Sequence, residues 1–388
     1  MKKHVILVSM IVATMFATSC SKDDGDNVEQ PVAKEVQNED NNKSEVQNVA
    51  TRPIVIKAKN GATLSKVATT NGYDFTFSEG DKLVLTDGET TYATLEIDGE
   101  AGSSSATFKG EISTAADNKS IYAVIEGQSP LSEVKTSTVS LADVVQSNCY
   151  FKSESFDYNA NSEFSVTLND QNAYLVFEVS ENQKKVNIGS EWYEVSDGKC
   201  YAAVPAGDVS GRFFGTKTAK SSEIYTITRT DVIDLGPSFN ILWKTENLTL
   251  GASKTATIDG KTFGYYLWNT VNQNYSNGTE HAPDSKQLQD LASLAKGGFT
   301  TYNGMDYCKE FSNEYGAVYF PAAGRYDGDQ NFYEGKIRGV YWTTNSLNVE
   351  EAMGMSFYEN NDVPVPVSVS GHAKHHYFSV RLVRDINN

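Results

Sequence analysis

The first half of the chain alternates hydrophobic and polar positions in short runs. Between Pro53 and about Arg229 these runs are separated by Gly, Asn, Asp and Ser. Successive side chains of a strand point to opposite faces, so the alternation predicts half-buried antiparallel strands. The clearest runs are residues 73–77, 92–97, 164–168 and 174–179. Many short strands with turns between them favour β-sandwiches. We expect only one short helix in this half, at residues 141–145.

The second half contains one helical segment among its strands. Asp284 is a good N-cap with Gln287 three residues later, which is a capping-box pattern. Leu288 and Leu291 recur at helical spacing, and we expect Gly297-Gly298 to end the helix. The pattern therefore predicts a mixture of helix and strand in this half.

Trp342 follows Gly339-Val340-Tyr341 and precedes two threonines, and we expect it in the core of the terminal sheet rather than on a ligand platform. The final run, residues 377–383, alternates and predicts a strand that closes the sheet beside the region's first strand. The fold class predicted for the whole chain is mainly β, with a β-sandwich region followed by an α+β region.

The first residues direct the chain out of the cytoplasm. Lys2 and Lys3 precede an apolar stretch that is shorter than the roughly 20 residues needed to span a bilayer, so it is typical of a signal peptide. Ala17-Thr18-Ser19-Cys20 resembles a bacterial lipobox, which implies that Cys20 is acylated and anchors the chain in the outer membrane. The alternative is an ordinary signal peptide with an incidental cysteine.

Residues 21–52 are rich in polar and charged residues and contain no aromatic residue. Such a segment cannot bury enough apolar area to fold, so we expect a disordered acidic linker. Its start, residues 21–26, resembles the surface-export signal of some Gram-negative lipoproteins, or is simply the acidic start of a tether. The predicted division of the chain is a signal peptide at 1–19, lipid anchor and linker at 20–52, a first region at 53–230 and a second region at 231–388.

Composition and charge exclude three classes of protein. Hydrophobic residues make up 39% and charged residues 21% of the chain, a globular balance that excludes wholesale disorder and a membrane bundle. The net charge is −17, and removal of residues 1–19 leaves 31 basic against 50 acidic residues, or −19. Binding to phosphates needs a basic surface, so nucleic acid is excluded as a partner.

Short motifs of the first region resemble fimbrillin-like (type V) pilus subunits. They are residues 77–85 (FSEGDKLVL), 106–110 (ATFKG), 128–130 (QSP) and 173–179. The resemblance implies a transthyretin-like β-sandwich that joins other pilus subunits by strand exchange after an arginine-specific protease trims the chain. Arg52 is the only arginine before the first predicted strand and lies in predicted flexible chain, although Pro53 after it hinders cleavage.

Motifs of the second region resemble the major paralogous (FISUMP) domain, a branch of the C-type-lectin-like fold. They are residues 232–238, 242–243, 247–252, 284–291, 320–325, 339–344 and 378–385. The resemblance implies a lectin-like domain that contacts an external ligand. The sugar-reading signatures of calcium-dependent lectins are missing from it.

Few residues of the sequence indicate a disulfide, a metal site or a catalytic site. An odd number of cysteines follows Cys20; Cys149 and Cys200 are candidates for a disulfide, and Cys308 is then a lone buried thiol. His372-x-x-His375-His376 is expected to be a solvated cluster rather than a metal site. Residues 327–331 start like a calcium loop, but Phe332 and Arg338 stand where an EF-hand needs glycine and glutamate. We therefore predict no cofactor, no metal and no enzyme activity, and the alternative is a looser calcium site at residues 327–331.

Two loops mix aromatic rings with carboxylates and amides, a composition that suits ligand contact because such loops vary without disturbing the core. The ligand-binding candidates are Tyr326, Asp327, Asp329, Asn331, Tyr333, Glu359 and Asn360.

The sequence predicts a lipid-anchored cell-surface lipoprotein that acts in cell adhesion, as a pilus subunit or adhesin. Its expected partners are other pilus subunits and a glycan or surface protein of a host or bacterium. The chain stops at Asn388, soon after the last predicted strand, which favours a tip-like position. The alternatives are a monomeric glycan-binding lipoprotein for polysaccharide uptake and a surface enzyme.

Overall fold

The computed structural model describes residues 50–61, 65–67, 75–99, 101–160, 163–329, 331–360 and 363–386. The predictions for the signal peptide, for Cys20 and for most of the linker lie outside these residues. Within them, no helix has the length and apolar character needed to cross a membrane.

The first region consists of strands with one α-helix and a 3-10 turn at Thr114–Ala116. In chain order its elements are β1 (Thr51–Asn60), β2 (Ser65–Val67), β3 (Lys82–Thr86), β4 (Thr91–Ile97), β5 (Ser105–Ser113), β6 (Ser120–Ile125), β7 (Lys135–Ser137), α1 (Leu141–Asn148), β8 (Phe151–Ser153), β9 (Phe156–Asp157), β10 (Glu163–Asp170), β11 (Asn172–Val179), β12 (Lys185–Ile188), β13 (Glu191–Glu194), β14 (Lys199–Pro205), β15 (Gly207–Gly211), β16 (Gly215–Ala219) and β17 (Glu223–Arg229).

The second region adds two short helices among further strands. Its elements are β18 (Val232–Asp234), β19 (Ile241–Asn247), β20 (Lys254–Ile258), β21 (Lys261–Leu267), α2 (Trp268–Asn274), β22 (Glu280–His281), α3 (Ser285–Ala292), β23 (Ala295–Tyr302), β24 (Met305–Ser312), β25 (Ala317–Pro321), β26 (Arg325–Asp327), β27 (Asn331–Tyr333), β28 (Arg338–Ser346), β29 (Glu351–Asn360), β30 (Val363–Pro364), β31 (Ser368–Ala373), β32 (Tyr377–Phe378) and β33 (Arg381–Asp385).

The first sheet closes on itself around a core. Its strand order is β3-β4-β5-β1-β10-β8-β6-β9, and β3 also pairs with β6. Strand β1 pairs with β5 on one side and with β10 on the other. Alternate residues of β1 (Ile54, Ile56 and Ala58) point into the core, where they meet Leu83 and Phe108. The alternation seen in the sequence therefore marks the inner face of this sheet.

The second sheet has the order β2-β17-β11-β14-β7 and is covered on both faces. On one face Tyr174 and Val176 of β11 pack with the apolar residues of α1. On the other face Leu175 and Phe177 pack with Val186 of β12 and its neighbours. Strand β11 is buried on both sides, which explains its nearly continuous hydrophobic run.

The second region contains four further sheets. Their orders are β18-β19-β33-β22, β20-β21-β32-β26-β27, β23-β24-β25 and β28-β29-β30, with β31 also paired to β29. Trp342 is fully buried, and its indole N–H donates to the carbonyl of Tyr266 at 2.8 Å. The capping box of Asp284 and Gln287 is formed at the start of α3.

The mainly β fold is confirmed, as are the strands predicted at 92–97, 164–168 and 174–179, the short helix at 141–145, the capping box and the buried Trp342. Residues 75–77 are an extended segment and not a strand, while 73–74 lie outside the described residues. The predicted final strand, residues 377–383, is split into β32 and β33. Strand β33 pairs with β19, which lies between it and the region's first strand, β18.

The prediction that Gly297-Gly298 ends the helix is wrong. Helix α3 ends at Ala292, and both glycines lie inside β23. A Cβ on Gly298 would lie 2.8 Å from Oε1 of Glu359. The glycine therefore lets the strand approach this carboxylate closely, and a larger residue would require the side chain of Glu359 to shift.

Arg52 does not lie in flexible chain, contrary to the sequence prediction. It belongs to β1, where it pairs with Ile112 of β5. Its guanidinium forms an ion pair with Asp117 and donates to the hydroxyl of Tyr158 at 3.0 Å. Cleavage after Arg52 would cut a strand that is integrated in the first sheet.

The predicted disulfide is not formed. Cys149 and Cys200 are both free, and they pack against different cores. Cys149 follows α1 and is partly buried, whereas Cys200 is fully buried in β14. Burial raises the pKa of Cys200 to about 12, so its thiol is unreactive at neutral pH.

Residues Val49–Asn388 form one compact unit that includes both regions. Within this unit a buried ion pair joins the two regions. Asp234 of β18 is fully buried and accepts two hydrogen bonds from Arg212, at 2.6 and 2.9 Å. Arg212 also donates to the carbonyls of Gly236 and Phe239. The side chain of Gln183 bonds both the N–H and the carbonyl of Asp234, and also the carbonyl of Tyr315. This set of residues is called the junction network below.

We predict that the Arg212–Asp234 pair is strongly coupled. Asp234→Ala and Arg212→Met should each lower the free energy of unfolding by about 3–5 kcal/mol, because each leaves a buried charge unpaired. The double variant should lose much less than the sum. Urea unfolding of the four proteins in a double-mutant cycle measures this coupling. Strictly additive losses would contradict it.

We also predict that the bond after Arg52 resists an arginine-specific protease in the folded protein, because β1 is hydrogen-bonded into its sheet. The variant Pro53→Ala removes the proline that hinders cleavage. This variant should stay intact after Arg52 in native buffer and be cut there in urea, as mass spectrometry of the fragments would show. Rapid cutting of the native variant would mean that this part of β1 is readily detached.

Candidate functional site

Most of the predicted ligand-binding residues lie on one hairpin at the edge of a sheet. Strands β26 and β27 form it, with Tyr326 opposite Phe332 and Asp327 opposite Asn331. Gly328 turns the chain with φ +58°. Pairing of Tyr326 with Tyr377 joins the hairpin to β32. We call the surface formed here the hairpin patch: Lys254, Asp327, Asp329, Asn331, Phe332, Tyr333, His375 and His376.

The exposed aromatic area of the patch comes from Phe332 and Tyr333, which are 36% and 43% exposed. Tyr326 is half-buried instead. Its hydroxyl donates to the carbonyl of Thr255 at 2.9 Å, and its ring packs edge-to-face on Tyr265. Tyr326 therefore supports the patch from below. Phe332 was not among the predicted site residues. In the sequence it was noted only because it stands where an EF-hand calcium loop needs glycine.

Lys254 holds the tip of the hairpin. Its ammonium lies 3.6 Å from Oδ1 of Asp329 and donates to the carbonyl of Gly328 at 3.2 Å. It also lies over the ring of Tyr377 at 4.4 Å, a cation–π geometry. The hydroxyl of Tyr377 donates to Asp329 at 3.0 Å. These contacts fix the tip while leaving the Asp329 side chain 87% exposed.

Two histidines converge on Asp327. Nε2 of His376 lies 2.7 Å from Oδ1 of Asp327, and His375 brings a ring nitrogen within 4.8 Å of the same group. Burial is the main cause that lowers the pKa of His376, and the nearby Asp327 acts in the opposite direction. In the sequence, residues 327–331 and 372–376 are separate features. The strand pairing that joins them is not visible in either segment alone.

Glu359 and Asn360, the other two predicted site residues, lie at the end of β29. Oε1 of Glu359 accepts a hydrogen bond from the N–H of Phe299, and Asn360 is exposed and pairs with Val363. The carboxylate of Glu359 thus binds the backbone of β23, which is a structural contact. The loop predicted at residues 357–362 is instead the end of strand β29 as far as Asn360, and residues 361–362 lie outside the described residues.

An open cleft of about 660 Å³ adjoins the patch at His375. Its lining is mostly polar and charged: Leu267, Asn269, Asn348, Glu350, Glu351, Ala373, Lys374 and His375. The cleft and the patch together form a surface on which aromatic edges, carboxylates, amides and imidazoles are available to a ligand.

His372, the third member of the histidine cluster, points elsewhere. Its ring packs edge-to-face against Phe378 at 5.1 Å and against Trp342 at 6.3 Å. Nε2 is buried and has no hydrogen-bond partner among the described residues. Burial lowers the pKa of His372 to about 4, with nearby Arg338 and Arg325 adding to the shift.

No family model and no curated protein matches the chain. Among solved structures, it aligns with a fimbrial protein from Bacteroides ovatus at 8% identity over 87% of this chain and 100% of that chain, with a TM-score of 0.26. A candidate cell adhesion protein from Bacteroides fragilis aligns at 10% identity over 49% of this chain and 96% of that chain, with a TM-score of 0.26. Another from Bacteroides eggerthii aligns at 13% identity over 54% and 76%, with a TM-score of 0.23. TM-scores this low do not establish a common fold.

We predict that His372 makes the protein less stable as the pH falls from about 6.5 to about 4. The unfolded imidazole binds a proton near pH 6.5 and the folded one only near pH 4, so the unfolded state binds more protons in this window. Between pH 7 and pH 4 the wild type should lose about 2 kcal/mol more of its unfolding free energy than His372→Phe, after allowance for solvent screening. Urea unfolding at a series of pH values tests this, and parallel curves would contradict it.

Proposed function

We propose that the chain is a lipid-anchored cell-surface adhesin or pilus subunit that binds an external ligand through the hairpin patch. The observation that carries the proposal is the patch itself, where the exposed ring of Tyr333 lies beside Asn331 and on the same hairpin as the exposed Asp329. Lys254 and Tyr377 hold this hairpin in place. A pre-organised site loses less entropy on binding than a mobile loop does.

The ligand we propose is a glycan or a protein of another cell's surface. Aromatic side chains give large contact area at low entropic cost, and carboxylates and amides pair with hydroxyl groups. Nδ2 of Asn331 donates to the hydroxyl of Tyr333 at 3.1 Å, so the two side chains are aligned before any ligand arrives. The mature charge of −19 favours neutral or cationic partners at long range.

The anchor rests on the lipobox-like sequence that ends in Cys20, and the linker at 21–52 would carry the folded part away from the outer membrane. Assembly with other pilus subunits by strand exchange rests on the fimbrillin-like motifs of the first region. Arg52 lies within β1, so we propose that the folded chain is not trimmed at this arginine. An untrimmed chain would occupy an end position in a pilus or act as a free lipoprotein. The second candidate function is a monomeric glycan-binding lipoprotein for polysaccharide uptake, and the open cleft beside His375 favours it.

The test is adhesion of cells that display the full chain to a panel of glycans and surface proteins. Tyr333→Ala and Asn331→Ala should each lower binding at least tenfold, because they remove the exposed ring and its partner. Val139→Ala is the matched control, an exposed apolar residue of the first region that should leave binding unchanged. Cys20→Ser should remove the protein from the membrane fraction and abolish cell adhesion, while the released protein keeps its affinity.

Three results would overturn parts of the proposal. Undiminished binding by folded Tyr333→Ala and Asn331→Ala would exclude the hairpin patch as the site. A mature N-terminus found by mass spectrometry at another residue, without lipid, would exclude the anchor at Cys20. Tight binding of soluble glycans by a protein that never enters pili would favour the uptake function over the pilus subunit.

A further inference from the structure

We propose that Asp327, His375 and His376 form a binding site for a divalent transition metal of the Zn²⁺ class. One ligand atom from each of the three side chains lies within 4.8 Å of the others. Neither a metal nor a role for these histidines is predicted from the sequence. The inference does not depend on adhesion, since it concerns the binding of the metal alone.

Strand pairing creates the cluster. Tyr326 of β26 lies opposite Tyr377 of β32 in an antiparallel pair, so Asp327, one residue after Tyr326, comes opposite His376, one residue before Tyr377. The turn between β31 and β32 then places His375 beside the hairpin tip. A Cβ on Gly328 would lie 3.8 Å from Cδ2 of His375, which shows how closely the tip approaches this ring.

The donor set suits a transition metal. Two imidazoles and one carboxylate are typical ligands of Zn²⁺ in sites that keep an open position for water or another ligand. Ca²⁺ and Mg²⁺ prefer oxygen ligands, and Ca²⁺ takes six to eight of them. Asp329, the nearest further carboxylate on the hairpin, is already bonded by Tyr377 and lies near Lys254. The set therefore favours Zn²⁺ over Ca²⁺.

The geometry needs an adjustment of the side chains, because the three ligand atoms lie within 4.8 Å of one another and must come to metal-binding separations. Ligands about 2.0–2.1 Å from a tetrahedral metal lie roughly 3.3 Å from each other. Nε2 of His376 and Oδ1 of Asp327 are 2.7 Å apart, so these atoms would separate by a few tenths of an ångström. Asp327 and His375 are both exposed and can make this movement.

The neighbouring cations are balanced by carboxylates. Arg325 lies 3.2 Å from Glu334, and Lys254 lies 3.6 Å from Asp329. The repulsion between these groups and a bound metal is therefore reduced. Nδ1 of His376 is buried without a hydrogen-bond partner among the described residues. A metal-bound imidazole is normally oriented by a hydrogen-bond partner on its other nitrogen, and lack of that partner weakens metal binding. We therefore expect an affinity in the micromolar range.

Calorimetric titration of the full chain, without an affinity tag, with Zn²⁺ and separately with Ca²⁺ tests the site. We expect one Zn²⁺ to bind at neutral pH and Ca²⁺ to bind at least tenfold more weakly. Asp327→Asn and His375→Ala should each weaken Zn²⁺ binding at least tenfold, and both residues are exposed, so these variants should fold. Asp306→Asn and His281→Gln are matched controls, an exposed acid and a histidine that both lie outside the cluster and the hairpin patch, and should bind as the wild type does.

Circular dichroism of each variant checks that the fold is retained. Absence of Zn²⁺ binding by the wild type would overturn the site, as would equal binding by Asp327→Asn or His375→Ala. Stronger binding of Ca²⁺ than of Zn²⁺ would overturn the assignment of the metal. The titration contains no adhesion ligand, so absence of Zn²⁺ binding would leave the adhesion result unaffected. Conversely, a hairpin patch that does not support adhesion can still bind Zn²⁺.

Discussion

The junction network is the constraint on which the arrangement of the two regions depends. A carboxylate as deeply buried as Asp234 is tolerated only when its charge is paired and its oxygens are hydrogen-bonded. Arg212, between β15 and β16, provides both, and Gln183 binds the backbone on either side. The apolar core continues across the same place, because Val232 and Leu242 pack with Phe177. Separation of the chain near residue 230 would expose both the charge and this core.

The hairpin patch depends on a similar principle at the surface. A short hairpin with exposed rings gains little from burial, so its position must come from directed contacts. Lys254 supplies them by bonding Gly328 and lying near Asp329 and over Tyr377. Tyr326 anchors the base of the hairpin in the core beneath. The patch combines exposed polar atoms with a fixed backbone, as a binding surface requires.

Local signals in the sequence predicted local structure well. Alternation located β4, β10 and β11, and the pattern at Asp284 located α3, because strand faces and helix caps depend on residues close in sequence. Contacts between distant segments were missed. The ion pair of Arg212 with Asp234, the approach of His376 to Asp327 and the packing of Gly298 on Glu359 all depend on how strands pair. Arg52 was misassigned for the same reason, since its partner Asp117 becomes adjacent only when β1 joins the sheet.

The edge position of the hairpin bears on the kind of partner it can bind. Strand β27 ends its sheet, and an edge strand can in principle accept a partner's strand. However, β27 spans only Asn331–Tyr333, which offers few backbone groups for pairing. Its side chains, in contrast, are exposed, and Asn331 lies opposite Asp327. Recognition at this edge should therefore use side chains rather than the addition of a strand.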